Sequence, residues 1–264
     1  MSRSLNIAAT GMAAQQVNVE VIANNIANLN TSGYKRQRAD FHDLLYQERG
    51  VGAGVRTSDS GSVVSSGTQT GAGVKIGGTY RVNTQGALTG TENPLDIAIN
   101  GRGFFVVNLP NGVTGYPRAG SLQISPTGEI VTAQGYVVRP GLTLPANVKQ
   151  ISVTDQGVIQ ATIDGQIAPV DVGRLEIATF PNEAGMSNIG NSFLSATPAA
   201  GNPATGNPGD PGFGSVKQGF LEASNVDMVS EITSLISAQR AYEMNSKVIQ
   251  AADDMLHTTT QSMR

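Results

Sequence analysis

The two ends of the chain carry apolar residues at the spacing of helices that pack against other helices, and the long segment between them does not. Near the N-terminus, apolar residues recur at alternating steps of three and four, the a/d pattern of paired helices. They are Leu5, Ala8, Met12, Val19, Ile22, Ile26 and Leu29, with Gln15 in the one polar place. Only Arg3 and Glu20 are charged before Lys35, whereas a solvated amphipathic helix normally carries more charge on its outer face.

The C-terminal segment, residues 225–262, carries two apolar stripes on different helical faces. The first consists of Met228, Ile232, Leu235, Tyr242, Ile249 and Leu256, with Gln239 and Ser246 in its gaps. The second consists of Met244, Val248, Ala251 and Met255. Two stripes indicate two directions of contact. Either the helix is buried within its own domain, or one stripe meets the N-terminal helix and the other meets neighbouring copies of the chain.

The composition favours a chain whose surfaces are covered by other subunits. Charged residues make up 14% of the 264 residues, against about 25% in an ordinary soluble domain. The net charge of -3 and the lack of a basic block argue against nucleic acid as a partner. No apolar run reaches about 18 residues, so no direct membrane insertion is predicted. The chain has no cysteine, which rules out disulfides and a thiol nucleophile.

The middle of the chain alternates apolar and polar residues between turns, which predicts antiparallel strands. Ile97 and Ile99 share one face of a strand. The pair Asn100 and Gly101 then predicts a two-residue hairpin turn, which continues through Gly103 into a return strand. Further alternation up to residue 179 predicts an antiparallel meander in a small sandwich or a partly open barrel.

These patterns predict an α+β chain, with paired, coiled-coil-like N- and C-terminal helices flanking a central antiparallel all-β module. Two Gly-rich stretches without periodicity, residues 50–78 and 197–215, are expected to connect the helices to the β module. The predicted segments are the N-terminal helix 1–34, an extended connection 35–89, the β module 90–196, a return connection 197–220 and the C-terminal helix 221–264.

No arrangement of catalytic or metal-binding residues stands out. His42 and His257 lie in opposite terminal regions without a metal-binding spacing. Residues 101–103 read Gly-Arg-Gly, but the third glycine of a dinucleotide fingerprint is missing. We predict no enzymatic activity, no cofactor and no metal.

The N-terminal helix is expected to end in the sequence ANNIANLNTSGYK. Gly33 can adopt the left-handed C-cap conformation, and Tyr34 can fold back as the hydrophobic contact beyond it. Asn24, Asn25 and Asn28 are weak helix formers, and their amides suit hydrogen bonding inside a packed interface of low charge. An ordinary helix end with surface asparagines is the alternative.

Three stretches resemble the signatures of flagellar rod and hook proteins. They are residues 23–35, residues 93–105 (NPLDIAINGRGFF), and residues 221–227 (LEASNVD) with the helix that follows through 239–243 (QRAYE). Their order and spacing match the family pattern and frame nearly the whole chain. Within the family, the length, residues 4–12 and 38–41, and the Gly/Ser-rich stretch from residue 50 are most similar to distal-rod subunits.

The resemblance implies a structural subunit of the bacterial flagellum that leaves the cell through the flagellar type III export apparatus. Such a subunit polymerises with itself into a hollow, periplasm-spanning tube that conducts export substrates. The implied partners are proximal-rod proteins, the hook protein and the envelope ring proteins that surround the rod as a bushing. A hook or proximal-rod subunit is the alternative within the family, and a monomeric β-rich binding protein is the alternative outside it.

The residues expected at the assembly interface lie on the two terminal helices. They are Leu5, Met12, Val19, Ile22, Asn24, Asn25, Ile26, Asn28 and Leu29 near the N-terminus, and Ile232, Leu235, Tyr242, Met244, Val248, Ile249, Met255 and Leu256 near the C-terminus. The terminal helices are expected to form the inner wall of the tube and the β module its outer layer. Residues 50–78 are the candidate for contacts that keep the tube straight and stiff.

Overall fold

The structure is a computed structural model of the chain. It describes residues 2–49, 56–57, 63–64, 68–110, 112–145, 147–164 and 168–262. The chain divides into two compact units, each built from segments that are distant in sequence. The first unit comprises Met1–Asn25, Gln37–Tyr80 and Met228–Arg264, and the second comprises Ile26–Arg36 and Arg81–Asp227.

The predicted helices at both ends of the chain are confirmed. Helix α1 spans Ser2–Ala27 and helix α2 spans Met228–Ser262. They run antiparallel, because Asn25 near the end of α1 contacts Glu231 near the start of α2, and Gly11 lies against Asn245 further along. The long helices therefore pair within one unit although most of the chain separates them in sequence.

Six strands complete the first unit, and among the described residues each pairs with another strand of this set. They are β1 (Gln37–Asp43), β2 (Tyr46–Arg49), β3 (Arg56–Thr57), β4 (Val63–Val64), β5 (Thr68–Gly71) and β6 (Val74–Arg81), which ends one residue inside the second unit. The pairs are β1 with β6, β2 with β5 and β3 with β4. These strands fall within the predicted connection 35–89. Within the stretch 50–78, positions 50–55, 58–62 and 65–67 lie outside the described residues.

The second unit consists of short strands and one 3-10 turn at Glu183–Gly185. Its strands are β7 (Leu88–Gly90), β8 (Ile97–Asn100), β9 (Phe104–Phe105), β10 (Val107–Asn108), β11 (Thr114–Gly115), β12 (Leu122–Ile124), β13 (Ile130–Thr132), β14 (Val148–Val153), β15 (Val158–Ile163), β16 (Val170–Arg174), β17 (Ile177–Thr179), β18 (Ser187–Gly190), β19 (Phe193–Ser195), β20 (Ala204–Gly206), β21 (Ser215–Gln218) and β22 (Phe220–Glu222). Every strand pair with an assigned register in this unit is antiparallel.

The second unit combines local hairpins with pairs between distant strands. Neighbours in sequence pair in β10–β11, β12–β13, β14–β15–β16 and β18–β19. The returning segment 197–220 supplies β20, which pairs with β17, and β21, which pairs with β8. Next to it, β22 pairs with β7. The meander prediction therefore holds only for the local hairpins. The returning chain supplies the strands that pair with β7, β8 and β17.

The hairpin predicted at Asn100 and Gly101 is wrong. Strand β8 pairs with β21 and strand β9 pairs with β17, so these two successive strands do not pair with each other. Asn100 is the last residue of β8, and positive φ begins at Gly101. A type I′ turn requires positive φ at both central residues. The chain instead makes a bend whose carbonyls bind the side chain of Arg118.

Apolar side chains from β8 to β21 form the core of the second unit. The largest cluster contains Ile97, Ile99, Phe105, Val107, Leu122, Ile130, Val138, Leu142, Leu144, Ile151, Ile159, Ala161, Leu175, Ile177, Phe193 and Val216. A second cluster packs Phe104, Tyr116 and Phe180 against one another, with ring centroids 4.9 Å apart for Tyr116 and Phe180. Each large aliphatic or aromatic side chain buried in this way stabilises the fold by about 1.5–3 kcal/mol.

Candidate assembly sites: a buried charged cluster and a helix pair

Three charged side chains of the second unit meet in its interior. The carboxylate of Glu222, the last residue of β22, accepts hydrogen bonds from Lys35 Nζ and from Arg118 Nε, the latter at 2.5 Å. The exposed fraction of the side chain is 1% for Glu222 and 7% for each of the two cations. Such burial is costly unless the charges are paired and fully hydrogen bonded. We call these three residues the charged cluster.

Arg118 also binds the backbone where β8 leads into β9. Its Nη2 donates to Ile99 O at 3.0 Å and to Gly101 O at 2.6 Å, and its Nη1 donates to Gly103 O. The guanidinium is a planar fork of donors. Here its N–H groups donate to three carbonyls of residues 99–103, where the predicted hairpin would have formed.

Backbone groups complete the charged cluster. Lys35 Nζ donates to Thr84 O at 2.9 Å, and the amide of Gly86 donates to Glu222 Oε1 at 2.9 Å. The amide of Gly33 donates to the main-chain oxygen of Glu222 at 2.8 Å. The cluster thus links residues 33–35, 84–86 and Glu222.

The side chain of Asn225 makes a second link of the same kind. Its Oδ1 accepts from the amide of Arg36 at 2.7 Å. Its Nδ2 donates to the carbonyls of Val82 and Thr84 at 2.8 and 3.0 Å. One asparagine therefore joins three backbone segments.

The charged cluster and Asn225 bring the three sequence motifs together. Lys35 ends the first motif, the carbonyls bound by Arg118 belong to the second, and Glu222 and Asn225 belong to the third. Burial raises the pKa of Glu222, but the Arg118 guanidinium and the hydrogen bonds from both cations outweigh this effect. The pKa of Glu222 therefore lies below its ordinary value of 4.5. Burial also lowers the pKa of Lys35, although the Glu222 carboxylate opposes the shift.

Gly33 and Tyr34 do not cap α1, which ends at Ala27. Gly33 has a φ of 70°, and a Cβ there would lie 2.7 Å from Ala119 N. The tight approach of residues 118–119 therefore requires a glycine. The amide of Tyr34 closes a turn onto Thr31 O at 3.2 Å. Because the amide of Gly33 donates to Glu222 O, this segment is tied to the third motif and not to the carbonyls of the helix.

The helix pair of the first unit is joined through layers seven residues apart in each helix. Asn25 Nδ2 donates to Glu231 Oε2 at 3.2 Å. Seven residues away in each helix, Asn18 and Ala238 line one groove between α1 and α2. Another seven residues on, a Cβ at Gly11 would lie 2.8 Å from Asn245 Nδ2. A repeat of seven is the signature of a coiled coil, but these layers are small or polar.

Asn25 is buried in the helix pair and bonds to both β1 and α2. Its side chain is 1% exposed, and it exchanges two hydrogen bonds of 2.9 Å with the main chain of Gln37 while it contacts Glu231. Asn24 is exposed, and Asn28 is partly buried. The three asparagines predicted at the interface therefore differ in burial, and Asn25 is the one of the three that is buried between the helices.

The seam on α1 keeps the predicted Ala8 and Ile22. It uses Gly11, Asn18 and Asn25 where the a/d pattern has Met12, Val19 and Ile26. Ala8, Ile22 and Asn25 are buried on it. The predicted Leu5, Met12, Val19, Ile26 and Leu29 are only partly buried. The layers at Gly11, Asn18 and Asn25 are therefore small or polar where the pattern predicts large apolar side chains.

Helix α2 exposes several large apolar side chains on the side opposite the seam, with the exposed Arg240 and Lys247 among them. At about 100° per residue, the apolar set consists of Val229, Ile232, Ile236, Met244, Val248 and Met255. Val229 is 75% exposed and Met244 is 70% exposed. On the seam side, Leu235 and Ile249 are partly buried, and Tyr242 and Leu256 are 44% and 37% exposed. We call the exposed set the α2 stripe.

Sequence reasoning missed several residues that form the charged cluster and the helix pair. Arg118, Glu222, Gly11, Glu231 and Asn245 were not among the predicted site residues. Lys35 and Glu222 were visible as charges inside motifs of low charge. Nothing in the pattern around Arg118 indicated its role, because its partners are backbone carbonyls.

The described residues show neither a metal cluster nor a membrane span. No group of three or more His, Asp or Glu side chains within the described ranges could hold a metal ion. Neither of the two helices, as far as the structure describes them, is long and apolar enough to cross a membrane.

Paired chain ends, an exposed apolar stripe and motifs that meet in one buried cluster are the features of a self-assembling structural subunit. Comparison with known families agrees. Residues 5–35 match the family described as flagella basal body rod protein, residues 98–161 match the D1 domain of flagellar hook protein FlgE/F/G, and residues 217–262 match the C-terminal domain of flagellar basal body rod FlgEFG protein. The class is that of the flagellar rod and hook proteins.

Relatives identify the branch of this class. The chain is 52% identical to the flagellar basal-body rod protein FlgG of Caulobacter vibrioides, with 98% of each chain covered. It is 48% identical to FlgG of Agrobacterium fabrum, over 99% of this chain and 100% of the relative, and 35% identical to FlgG of Bacillus subtilis, with 97% of each covered. The chain belongs to the FlgG family of flagellar basal-body rod proteins.

Proposed function

We propose that this chain is the structural subunit of the distal rod of the flagellum. It polymerises into a hollow, straight shaft that transmits torque from the motor to the hook and conducts export substrates. The α2 stripe is the observation that carries the proposal, because a long helix whose partner covers only its opposite face presents an apolar surface to further copies of the chain.

The physical properties of the helix pair support a polymer. Contacts between different faces of identical subunits generate a helical filament when the rotation between them does not close. Helix α2 offers two such faces, the seam and the α2 stripe. The predicted interface residues Ile232, Met244, Val248 and Met255 all lie on the α2 stripe.

The weak seam suggests that the terminal helices fold together with assembly. Helix formation is cooperative, and most helix stability in proteins comes from packing. The seam supplies small and polar layers at Gly11, Asn18 and Asn25. A subunit that passes through a narrow export channel and orders its ends on arrival fits these properties.

The proposed partners follow from the position of a distal rod. Proximal-rod proteins lie at one end of such a shaft, the hook protein at the other, the envelope rings around it, and the type III export apparatus at its base. We propose no enzymatic activity, since the family is structural.

Residues 50–78 are proposed to keep the shaft straight and stiff. The stretch is rich in Gly, Ser and Thr, a composition that suits adaptable contacts with neighbouring subunits more than a core of its own. Trimming residues 50–67, which leaves the pairs β1–β6 and β2–β5 in place, should leave the subunit folded and make the shaft flexible. Unchanged shafts after trimming would mean that the stretch is a dispensable loop.

Two measurements on the purified full-length chain distinguish a polymer subunit from a monomeric binding protein. With rising concentration, sedimentation velocity should show increasing particle mass, and far-UV circular dichroism should show increasing helix content over the same range. A chain that stays at 27.3 kDa with constant helix content at all concentrations would overturn the polymer proposal.

A further inference from the structure

The bend after β8 contains a dipeptide that is chemically reactive in a flexible chain. In Asn100–Gly101, the glycine has no side chain to keep its amide nitrogen away from the side-chain amide of the preceding asparagine. Gly101 has a φ of 106°, and a Cβ there would lie 3.1 Å from the Cα of Gly214, so the bend requires this glycine. Asn100 ends β8 opposite Ser215 and is exposed. Because the pair forms no hairpin turn, turn chemistry does not explain the asparagine.

The reaction open to such a pair is deamidation, a covalent change of the chain. The Gly101 nitrogen gives its proton to solvent and bonds to Cγ of Asn100, the Cγ–Nδ2 bond breaks, and Nδ2 takes up a proton and leaves as ammonia. Water then opens the five-membered succinimide ring at either of its carbonyls, which leaves aspartate or isoaspartate at position 100. Either product adds a negative charge at the end of β8, and isoaspartate also adds one carbon to the main chain.

The side chain of Gln85 binds the main chain on both sides of this peptide bond. Its Oε1 accepts from the amide of Gly101 at 3.1 Å. Its Nε2 donates to Ile99 O at 3.3 Å and lies 3.5 Å from Asn100 Oδ1. The Gly101 nitrogen must lose its proton before it attacks, and this proton is held in the hydrogen bond to Gln85. The hydrogen bond therefore opposes the first step of the reaction.

Arg118 restrains the same peptide bond from the buried side. Its Nη2 donates to Ile99 O at 3.0 Å and to Gly101 O at 2.6 Å, the carbonyls that precede and follow the Asn100–Gly101 peptide bond. In a strand ψ is about +135°, and ring closure requires rotation about ψ of Asn100 until the next nitrogen reaches the side chain. Since both flanking carbonyls are bound to one guanidinium, this rotation breaks hydrogen bonds.

We propose that Asn100–Gly101 is a deamidation site that the fold keeps unreactive, and that Gln85 is the positioning residue that protects it. Gln85 is exposed, so its substitution opens the site without removing a buried side chain from the core. The proposal concerns the single chain and does not depend on the proposed polymer.

The rate of deamidation is measured on dilute full-length chain at mildly alkaline pH, by tryptic digestion and mass spectrometry. Cleavage after Arg81 and Arg102 releases residues 82–102, which contain Asn100. In the folded wild-type chain, this residue should deamidate at least about tenfold more slowly than in guanidinium chloride, because the hydrogen bonds to Gln85 and Arg118 are lost on unfolding. Equal rates in the two conditions would overturn the proposal.

A substitution at Gln85 identifies the protecting residue. Gln85→Ala removes the acceptor of the Gly101 amide and should raise the rate at Asn100 in the folded chain about two- to tenfold, with the rate in guanidinium chloride unchanged. Gln150→Ala, at an exposed position of β14, is the matched control and should deamidate as the wild type does. Equal rates for Gln85→Ala and wild type would refute the role of Gln85.

A second measurement on the wild-type chain needs no variant to fold. Hydrogen exchange followed by NMR should show the Gly101 amide protected, and Gln85→Ala should lose this protection while the amides within β8 keep theirs. Asn111–Gly112, the other Asn-Gly pair in the sequence, is the internal reference for deamidation and should react at one rate in all three chains. A Gly101 amide that exchanges in the folded wild type as fast as in guanidinium chloride would overturn the proposal.

Discussion

Arg118 and Glu222 lie 104 residues apart in the sequence, yet Nε of one lies 2.5 Å from Oε2 of the other. The same carboxylate accepts from Lys35, and the same guanidinium donates to three alternate carbonyls in the second motif, those of Ile99, Gly101 and Gly103. The motifs that mark this family at three places in the sequence are therefore parts of one buried cluster. We infer that the contacts between these motifs determine where the returning segment around Glu222 packs in the second unit.

Glu222→Gln should destabilise the second unit by about 3–5 kcal/mol, because it leaves two buried cations without their anion. Urea unfolding of the full chain, followed by the near-UV circular dichroism of its tyrosines, of which Tyr116 is buried in the second unit, measures the change. Glu92→Gln, at an exposed position, is the matched control and should stay within about 0.5 kcal/mol of wild type. Equal effects of the two substitutions would show that the charged cluster does not stabilise the fold.

The stability of the second unit should fall in acid because of Glu222. Its pKa in the folded protein lies below the ordinary value of 4.5, so its contribution is fully present above that value and is lost as the pH falls through the folded pKa. The free energies of unfolding of wild type and Glu222→Gln should therefore converge below pH 4.5. Curves that stay parallel from pH 7 to pH 3 would contradict this assignment.

Ile236→Asp should prevent shaft formation without unfolding the monomer, since Ile236 is 46% exposed on the α2 stripe. Gln134→Asp places the same charge on an exposed turn of the second unit, outside α2, and should assemble normally. Negative-stain electron microscopy scores assembly, and circular dichroism of the dilute protein checks the fold. Normal shafts from Ile236→Asp would mean that the α2 stripe is not an assembly surface.

Gly11→Leu should raise the critical concentration for assembly at least about tenfold, or 1.4 kcal/mol, because the added side chain meets Asn245 in the seam. Leucine is the better helix former, so any loss reflects pairing and not helix propensity. Ala13→Leu, at an exposed position of the same helix, is the control. If the two variants assemble alike, the seam does not form in the shaft.

Helix α1 should be largely unprotected from hydrogen exchange in the dilute monomer and strongly protected in the shaft. Its seam offers mainly small or polar layers, which give an isolated helix pair little stability. Exchange measured by mass spectrometry on peptides from residues 1–30 checks this in both states. High protection in the monomer would show that the helix pair is stable before assembly.

The terminal helices were predictable because the spacing of apolar residues along a helix is a local pattern in the sequence. The spacing indicated the helices at both ends, and α1 and α2 follow it. The face was predictable in part, since Ala8, Ile22 and Asn25 were predicted and are buried on the seam. Hydrophobicity alone favours Met12 over Gly11, whose place in the seam depends on Asn245 in α2.

The closure of the β unit was not predictable for the same physical reason. Asn100 and Gly101 have the local chemistry of a hairpin, but β8 pairs with β21 from the returning segment. The side chain of Arg118 donates hydrogen bonds to the carbonyls of Ile99 and Gly101 at the bend. Pairing with a distant strand therefore overrode the local turn propensity, and no local pattern identifies that strand.

The central claim, that this chain is the distal-rod subunit, is tested most directly by electron microscopy of purified hook–basal bodies labelled with antibody against residues 90–195. The account predicts label on the straight shaft just below the hook, exposed once the rings are stripped. Label along the curved segment outside the cell would make the chain a hook subunit and would contradict the account.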